Sequence, residues 1–115
     1  MSELTVYGIK NCDTCRKALK WLDGQGRAYR WHDLRGDGLS TARVTAWLDA
    51  VGADMLVNRR STTWRGLDDE ARRAAMDPNL AVGILLEHPT LIKRPVFESG
   101  GSVAVGFNAA VRDNL

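Results

Sequence analysis

Cysteine is scarce in this 115-residue chain, which has only two, and histidine (two) and proline (three) are also uncommon. Two cysteines are too few for a disulfide-stabilised scaffold. No apolar run approaches the roughly 20 residues that cross a bilayer. The N-terminus lacks a basic segment followed by an apolar one, so no secretion signal is predicted. We therefore expect a cytoplasmic protein without a membrane segment.

Net charge is small as well. Sixteen Lys and Arg residues against 14 Asp and Glu give +2, a balance that does not predict a nucleic acid as partner.

The four tryptophans do not alternate with a basic stripe, and Trp47 falls on a helical apolar stripe. Core positions are therefore the expectation, with Trp64, in a polar stretch, as the exception. The length and the 44% hydrophobic content fit one globular domain.

A βαβ unit is predicted at the start of the chain. Residues 4–9 contain few polar side chains, as expected of an inner strand buried on both faces. A helix follows over residues 11–22 and is ended by Gly24 and Gly26. A second strand is predicted over residues 28–33. Strand, helix and strand within about 30 residues predict two parallel strands.

The middle of the chain is predicted to be a helical insertion. Apolar spacing and capping residues indicate helices that begin after Ser40 and after Asp68, and a third over residues 79–87 opened by Asp77-Pro78. Residues 58–66 are polar and predicted to be irregular.

The end of the chain returns to β structure. A two-glycine hairpin is predicted at Gly100-Gly101, between strands 96–99 and 102–107, and a short helix is predicted over 108–114.

The two cysteines form a Cys-x-x-Cys motif where the first strand meets its helix. Unpaired N–H groups and the helix dipole favour a thiolate there, and Lys10 and Arg16 flank the motif. Cys12 is therefore the candidate nucleophile, with a pKa below the free value of about 8.5. Cys15 lies one helical turn on, where it could resolve a mixed disulfide on Cys12. The alternative is two small buried apolar side chains.

Metal binding is not predicted, because zinc needs about four ligands and only the separated His32 and His88 remain. Four arginines are candidates for binding an anion. They are Arg59, Arg60, Arg65 and Arg94. Arg60 and Arg94 are credible site residues only if the fold brings them near Cys12. Otherwise each is a solvated surface charge.

Six stretches resemble known proteins, and they span nearly the whole chain. They are Tyr-Gly-Ile-Lys-Asn-Cys-Asp-Thr-Cys-Arg-Lys-Ala at 7–18, and the stretches at 29–33, 37–39, 56–65, 91–96 and 105–107. Together they resemble the arsenate reductase/Spx family of thioredoxin-like proteins. The chain is most similar to the small YffB-type branch, whose members are described as glutathione-dependent thiol reductases.

The resemblance implies one domain with a thioredoxin/glutaredoxin-like mixed α/β sheet (βαβ…ββα) and an inserted helical subdomain. The core would comprise residues 1–36 and 90–115, and the insertion residues 37–89.

The resemblance also implies roles for individual residues. Cys12 would be the catalytic cysteine and Cys15 the resolving one, with Arg60 and Arg94 as arginines close to the thiol or an oxyanion. Pro95 would be the family's cis-proline, although composition alone favours a trans bond. The candidate substrate-binding residues are Lys10, Asn11, Arg16 and Pro95.

Two departures from the family pattern bear on function. Arsenate reductases proper carry a third anion-binding arginine on the late hairpin, whereas residues 103–107 are uncharged here, which weakens oxyanion stabilisation. Many YffB-type relatives keep only the first cysteine, whereas Spx regulators carry Cys-x-x-Cys followed by Arg-Lys-Ala, as this chain does.

The expected function is a cytoplasmic thiol–disulfide reductase. It would have no bound cofactor, glutathione as co-substrate, glutaredoxin or thioredoxin as partner, and a disulfide or oxyanion as substrate. The alternatives are a glutaredoxin-dependent arsenate reductase and an Spx-like redox-sensing regulator that binds RNA polymerase.

Overall fold

The structure, a computed structural model, describes residues 3–115, and the first two residues of the predicted domain lie outside this range. The chain divides into two compact units. The sheet unit combines the described residues up to Gly38 with Arg94–Leu115, and the helical unit is Leu39–Lys93. The sheet unit is therefore built from two segments that are separated in the chain by the whole helical unit.

Strands belong to the sheet unit, and most helices belong to the helical unit. In chain order the elements are β1 (Leu4–Gly8), α1 (Asp13–Gly24), β2 (Arg30–Asp33), α2 (Thr41–Val51), α3 (Ala53–Leu56), α4 (Thr62–Arg65), α5 (Asp69–Met76), α6 (Ala81–Glu87), a 3₁₀ turn (Pro89–Leu91), β3 (Val96–Ser99), β4 (Ser102–Val105) and α7 (Ala109–Asp113).

The sheet has the strand order β2-β1-β3-β4. β1 is parallel to β2 and antiparallel to β3, and β4 is antiparallel to β3. The parallel β1–β2 pair confirms the predicted βαβ unit. The complete topology is the thioredoxin/glutaredoxin-like mixed sheet that the resemblance implied.

The inner strand β1 supplies part of the hydrophobic core of the sheet unit. Leu4 and Val6 are buried with Phe97 of β3, and Ala18 and Leu22 of α1 pack against them. Four of the five residues of β1 are buried, and Val6 and Tyr7, which lie on opposite faces, are among them, in agreement with the nearly unbroken apolar sequence. The loop that carries Cys12 therefore begins at a strand that is paired along both edges.

The late hairpin turns through its two glycines as predicted. Gly100 and Gly101 have φ of 55° and 86°. Positive φ at both turn positions matches the right-handed twist of the flanking strands and favours glycine. β4 ends at Val105, two residues before the predicted end.

The helical unit contains five α-helices and a 3₁₀ turn, where three helices were predicted. Ser40 and Asp68 cap α2 and α5 as expected, each accepting a backbone N–H with its side-chain oxygen. The additional helices, α3 and α4, are single turns of four residues, too short to show helical periodicity. α4 lies within the 58–66 stretch that was predicted to be irregular, and Ser61 caps it.

Other predicted boundaries were also wrong. α6 begins at Ala81 rather than residue 79, because Asp77 accepts the Asn79 N–H with its side chain and closes a turn across Pro78. α1 continues to Gly24, and the chain leaves the helix through Gly26 at a φ of 65°. β2 starts at residue 30 rather than 28, where its ladder with β1 begins.

Trp47 lies on the apolar face of α2 and is fully buried, as its sequence pattern predicts. We expect Trp47→Ala to lower the free energy of unfolding by about 3–5 kcal/mol, because truncating a buried aromatic side chain leaves a cavity. Leu80→Ala is the control, since Leu80 is 56% exposed, and should change it by less than about 0.5 kcal/mol. If urea denaturation showed the same decrease in the free energy of unfolding for both variants, the buried placement of Trp47 would be contradicted.

Candidate active site

Cys12 is the N-cap residue of α1 and has extended backbone angles. Its N–H donates to the Ile9 carbonyl at 3.1 Å, and its carbonyl accepts the Arg16 N–H at 3.0 Å, which starts the helix. The predicted helix began at residue 11, whereas α1 begins two residues later at Asp13, so Cys12 precedes its first turn. The half-buried sulfur thus lies where backbone N–H groups have no helical partner.

The pKa of Cys12 lies below its usual value, in the predicted direction. Partial burial is the largest influence and by itself raises this pKa. The Cys15 backbone N–H, the Cys15 thiol and the Arg94 guanidinium together outweigh burial by stabilising the thiolate.

Arg94 is the cation at this sulfur, by a hydrogen bond and by its charge. The flanking residues Lys10 and Arg16, which the sequence suggested for that role, act on carboxylates instead. Exposed Arg16 forms an ion pair with exposed Asp13 and lowers its pKa. The pKa of Asp33 is lowered chiefly by the backbone N–H groups of the loop that follows it, and Lys10 adds a smaller effect.

The strand pairing explains how Arg94 reaches the thiol. Tyr7 pairs with Val96 in the antiparallel β1–β3 ladder, so the start of β3 lies beside the end of β1. Arg94 directly precedes buried Pro95, and the Arg94–Pro95 peptide bond is cis, as the resemblance implied. Two segments far apart in the chain therefore meet at Cys12.

Cys15 has the opposite properties. Its side chain is buried, at 1% exposure, on the inner face of α1. Burial raises the pKa of Cys15 to about 12; the Ile9 backbone N–H opposes the shift, and the hydrogen bond and charge of Cys12 add to it. The Cys15 thiol therefore keeps its proton at neutral pH and donates it in a hydrogen bond to the Cys12 sulfur. Both cysteines are free.

Gly8, the last residue of β1, is a part of the site that sequence reasoning missed. A Cβ atom at this position would lie 2.5 Å from Cys15 Sγ. A lone glycine in an otherwise apolar strand is the signal that could have found it, since such glycines often mark a close approach of another group.

Arg60 belongs to the helical unit and is exposed. Its N–H donates to Asn58 Oδ1 at 3.1 Å, and its carbonyl accepts from Arg65 Nη2 at 3.3 Å. A shallow hollow of about 330 Å³ is lined by Asp54, Val57, Asn58, Arg59, Arg60 and Lys93. A role for Arg60 at the thiol stays a prediction, as do the substrate contacts of Lys10, exposed Asn11, Arg16 and Pro95.

Trp64, the tryptophan of the polar stretch, is engaged within the helical unit. The Arg72 guanidinium lies 5.7 Å from the centre of its ring. Arg72 also donates to the carbonyls of Trp64 at 3.2 Å and Arg65 at 3.1 Å. Arg72 thus satisfies the C-terminal carbonyls of α4.

Across residues 3–115, no three His, Cys, Asp or Glu side chains lie close enough together to hold a metal ion. No helix in the described part of the chain has the length and apolar character needed to cross a membrane.

The sheet topology, a low-pKa thiol at the start of α1 and a cis-proline next to the arginine that contacts this thiol define a thioredoxin-like protein. More specifically, the chain belongs to the ArsC family, whose profile matches residues 7–114. An uncharacterized protein of Haemophilus influenzae is 49% identical over 105 residues, covering 91% of each chain. The solved YffB protein is 38% identical with a TM-score of 0.89, covering 96% of each chain.

Other relatives include an arsenate reductase related protein and a transcriptional regulator. The solution structure of an arsenate reductase (ArsC) related protein from Brucella melitensis is 38% identical with a TM-score of 0.78, covering 97% of this chain and 92% of that one. A global transcriptional regulator of Bacillus anthracis, Spx 2, is 23% identical over 91% of this chain and 80% of its own. The resemblance to the arsenate reductase/Spx family and its YffB branch is therefore confirmed. Family membership supports thiol-based reductase chemistry in general.

Proposed function

We propose that this protein is a cytoplasmic thiol–disulfide reductase in which the Cys12 thiolate is the nucleophile. The observation that carries the proposal is the half-buried Cys12 sulfur at a helix start, with a pKa lowered by Cys15 and Arg94. The thiolate is the attacking form of cysteine, and its fraction at neutral pH governs the rate of exchange.

In the first step, the Cys12 thiolate attacks one sulfur of a substrate disulfide. One S–S bond forms at Cys12 while the substrate's S–S bond breaks, and the other substrate sulfur leaves as a thiolate that takes a proton from water. Arg94, which already contacts the Cys12 sulfur, would stabilise the negative charge shared among the reacting sulfurs.

An external thiol, with glutathione as the proposed one, would complete the cycle. When the substrate is a mixed disulfide with glutathione, Cys12 takes the glutathionyl group, and a second glutathione thiolate attacks the sulfur of that group. Glutathione disulfide leaves and the Cys12 thiolate is restored. Each step breaks one S–S bond and forms one.

Burial of Cys15 favours this external route over internal resolution. Forming a mixed disulfide removes the Cys12 charge that helps raise the pKa of Cys15, but burial, the larger cause, remains. Cys15 is therefore a slow nucleophile at neutral pH, and its main role would be to donate a hydrogen bond to Cys12.

The test is the reduction of a glutathionylated peptide by glutathione, with NADPH and glutathione reductase reporting glutathione disulfide. A rate well above that of glutathione alone is expected. No rate above that background, in protein whose Cys12 is shown to be reduced, would overturn the reductase proposal.

A redox-sensing regulator is the second candidate, favoured by the hydrogen-bonded pair of free cysteines and by the Spx relatives. Capture of RNA polymerase by this protein, changed by oxidation of Cys12 and Cys15 and accompanied by no turnover, would support it. Capture that is absent, or unaffected by oxidation, would count against it.

A further inference from the structure

We propose that Gly8 is a positioning residue, whose missing side chain leaves the space in which the Cys15 thiol can contact Cys12. Its significance for turnover rests on the proposed reductase function. Gly8 is not among the glycines with positive φ, so its backbone conformation does not require glycine. Glycine is required instead by the limited space next to its Cα atom.

That space is enclosed on two sides. A Cβ atom at position 8 would lie 2.5 Å from Cys15 Sγ, and 2.9 Å and 3.2 Å from two atoms of the Trp31 indole. The backbone cannot retreat easily, because Gly8 pairs with Asp33 and its carbonyl accepts the Leu34 N–H at 2.8 Å. A methyl group at this position must therefore displace a side chain.

The Cys15 thiol is the group that moves most easily. It can rotate to another staggered conformer about a single bond, whereas the Trp31 indole is bulky and packs against the core of the sheet unit. Rotation would take the sulfur away from Cys12 and from the Ile9 N–H. Cys12 would then lose one of the hydrogen bonds that stabilise its thiolate.

The experiment compares Gly8→Ala with Gly83→Ala, using the rate at which iodoacetamide alkylates Cys12 at neutral pH. Gly83 is an exposed helical glycine, and a Cβ atom added there would meet nothing within 4 Å beyond its own helix backbone. Its variant therefore reports the effect of the glycine-to-alanine change alone.

We expect Gly8→Ala to slow alkylation of Cys12 about tenfold, as loss of a hydrogen bond to a charged group implies. Gly83→Ala should leave the rate unchanged. Mass spectrometry assigns the alkylated cysteine.

The double variant Gly8→Ala/Cys15→Ala shows whether the effect passes through Cys15. In the Cys15→Ala background there is no sulfur to displace, so adding Gly8→Ala should change the Cys12 rate by less than about twofold, as expected when the coupled partner is absent. An equal slowing in both backgrounds would overturn the proposal.

A folding defect would also be informative. If Gly8→Ala does not fold, recovery of the folded state in the double variant supports the proposal, and failure of both variants overturns it. Alkylation needs no substrate, so a wild-type protein without reductase activity would contradict the proposed function while leaving this test intact.

Discussion

Replacing Cys12 by serine is expected to reduce glutathione-dependent disulfide reduction by a factor on the order of 10³ or more, down to the rate of glutathione alone. A serine hydroxyl does not ionise at neutral pH and cannot form the mixed disulfide on which the cycle depends. The N-cap position itself accepts serine well, so the variant should fold. Activity measured by NADPH consumption, beside a thermal melt, separates the chemical loss from unfolding.

Cys15→Ala is the matched variant for this prediction. It removes the buried thiol without placing a hydroxyl group at a position that is 1% exposed. An external thiol would still resolve the mixed disulfide, so we expect the loss to stay within about tenfold, from the weaker stabilisation of the Cys12 thiolate. Losses of equal size in the two variants would contradict the glutathione route and assign resolution to Cys15.

Arg94→Gln is expected to raise the pKa of Cys12 and to move the pH profile of its alkylation to higher pH. The hydrogen bond and the charge of Arg94 both lower this pKa in the wild type, so their loss favours the thiol. At neutral pH the thiolate fraction, and with it the alkylation rate, should fall about tenfold. Far above both pKa values, where Cys12 is ionised in either protein, the two rates should converge.

Arg16→Gln provides the control for this charge effect. Arg16 lies four residues from Cys12 in the chain, but it is exposed and paired with Asp13. Its removal should leave the alkylation profile within about twofold of the wild type, as for an exposed, screened charge. A shift as large as that of Arg94→Gln would show that several positive charges lower the pKa of Cys12 to a similar extent. It would contradict the assignment of this role to Arg94.

Local chemistry in the sequence was sufficient for much of the fold. Capping side chains at Ser40 and Asp68 and the glycine pair of the hairpin act over a few residues, and each was identified correctly. The start of α6 was predicted wrongly because two local preferences compete there. At Asp77, proline suggested a helix start, but the aspartate side chain closed a turn with Asn79 and delayed α6.

The site was only partly predictable, because its parts come from separate places in the chain. Cys12 could be found from its position between a strand and a helix. Nothing near Arg94 in the sequence indicates that it reaches Cys12 while Lys10 and Arg16 do not. That outcome depends on the β1–β3 register, and before the structure only the family resemblance pointed to it.

The division of the sheet unit into two chain segments also affects the nascent protein. The ribosome delivers Cys12 early, whereas Arg94 and the strand that pairs with β1 emerge only after the entire helical unit. Until then the cysteine lacks the cation that contributes to its acidity. The thiol of the growing polypeptide is thus less acidic than that of the finished molecule, which leaves a smaller thiolate fraction for oxidants to attack during translation.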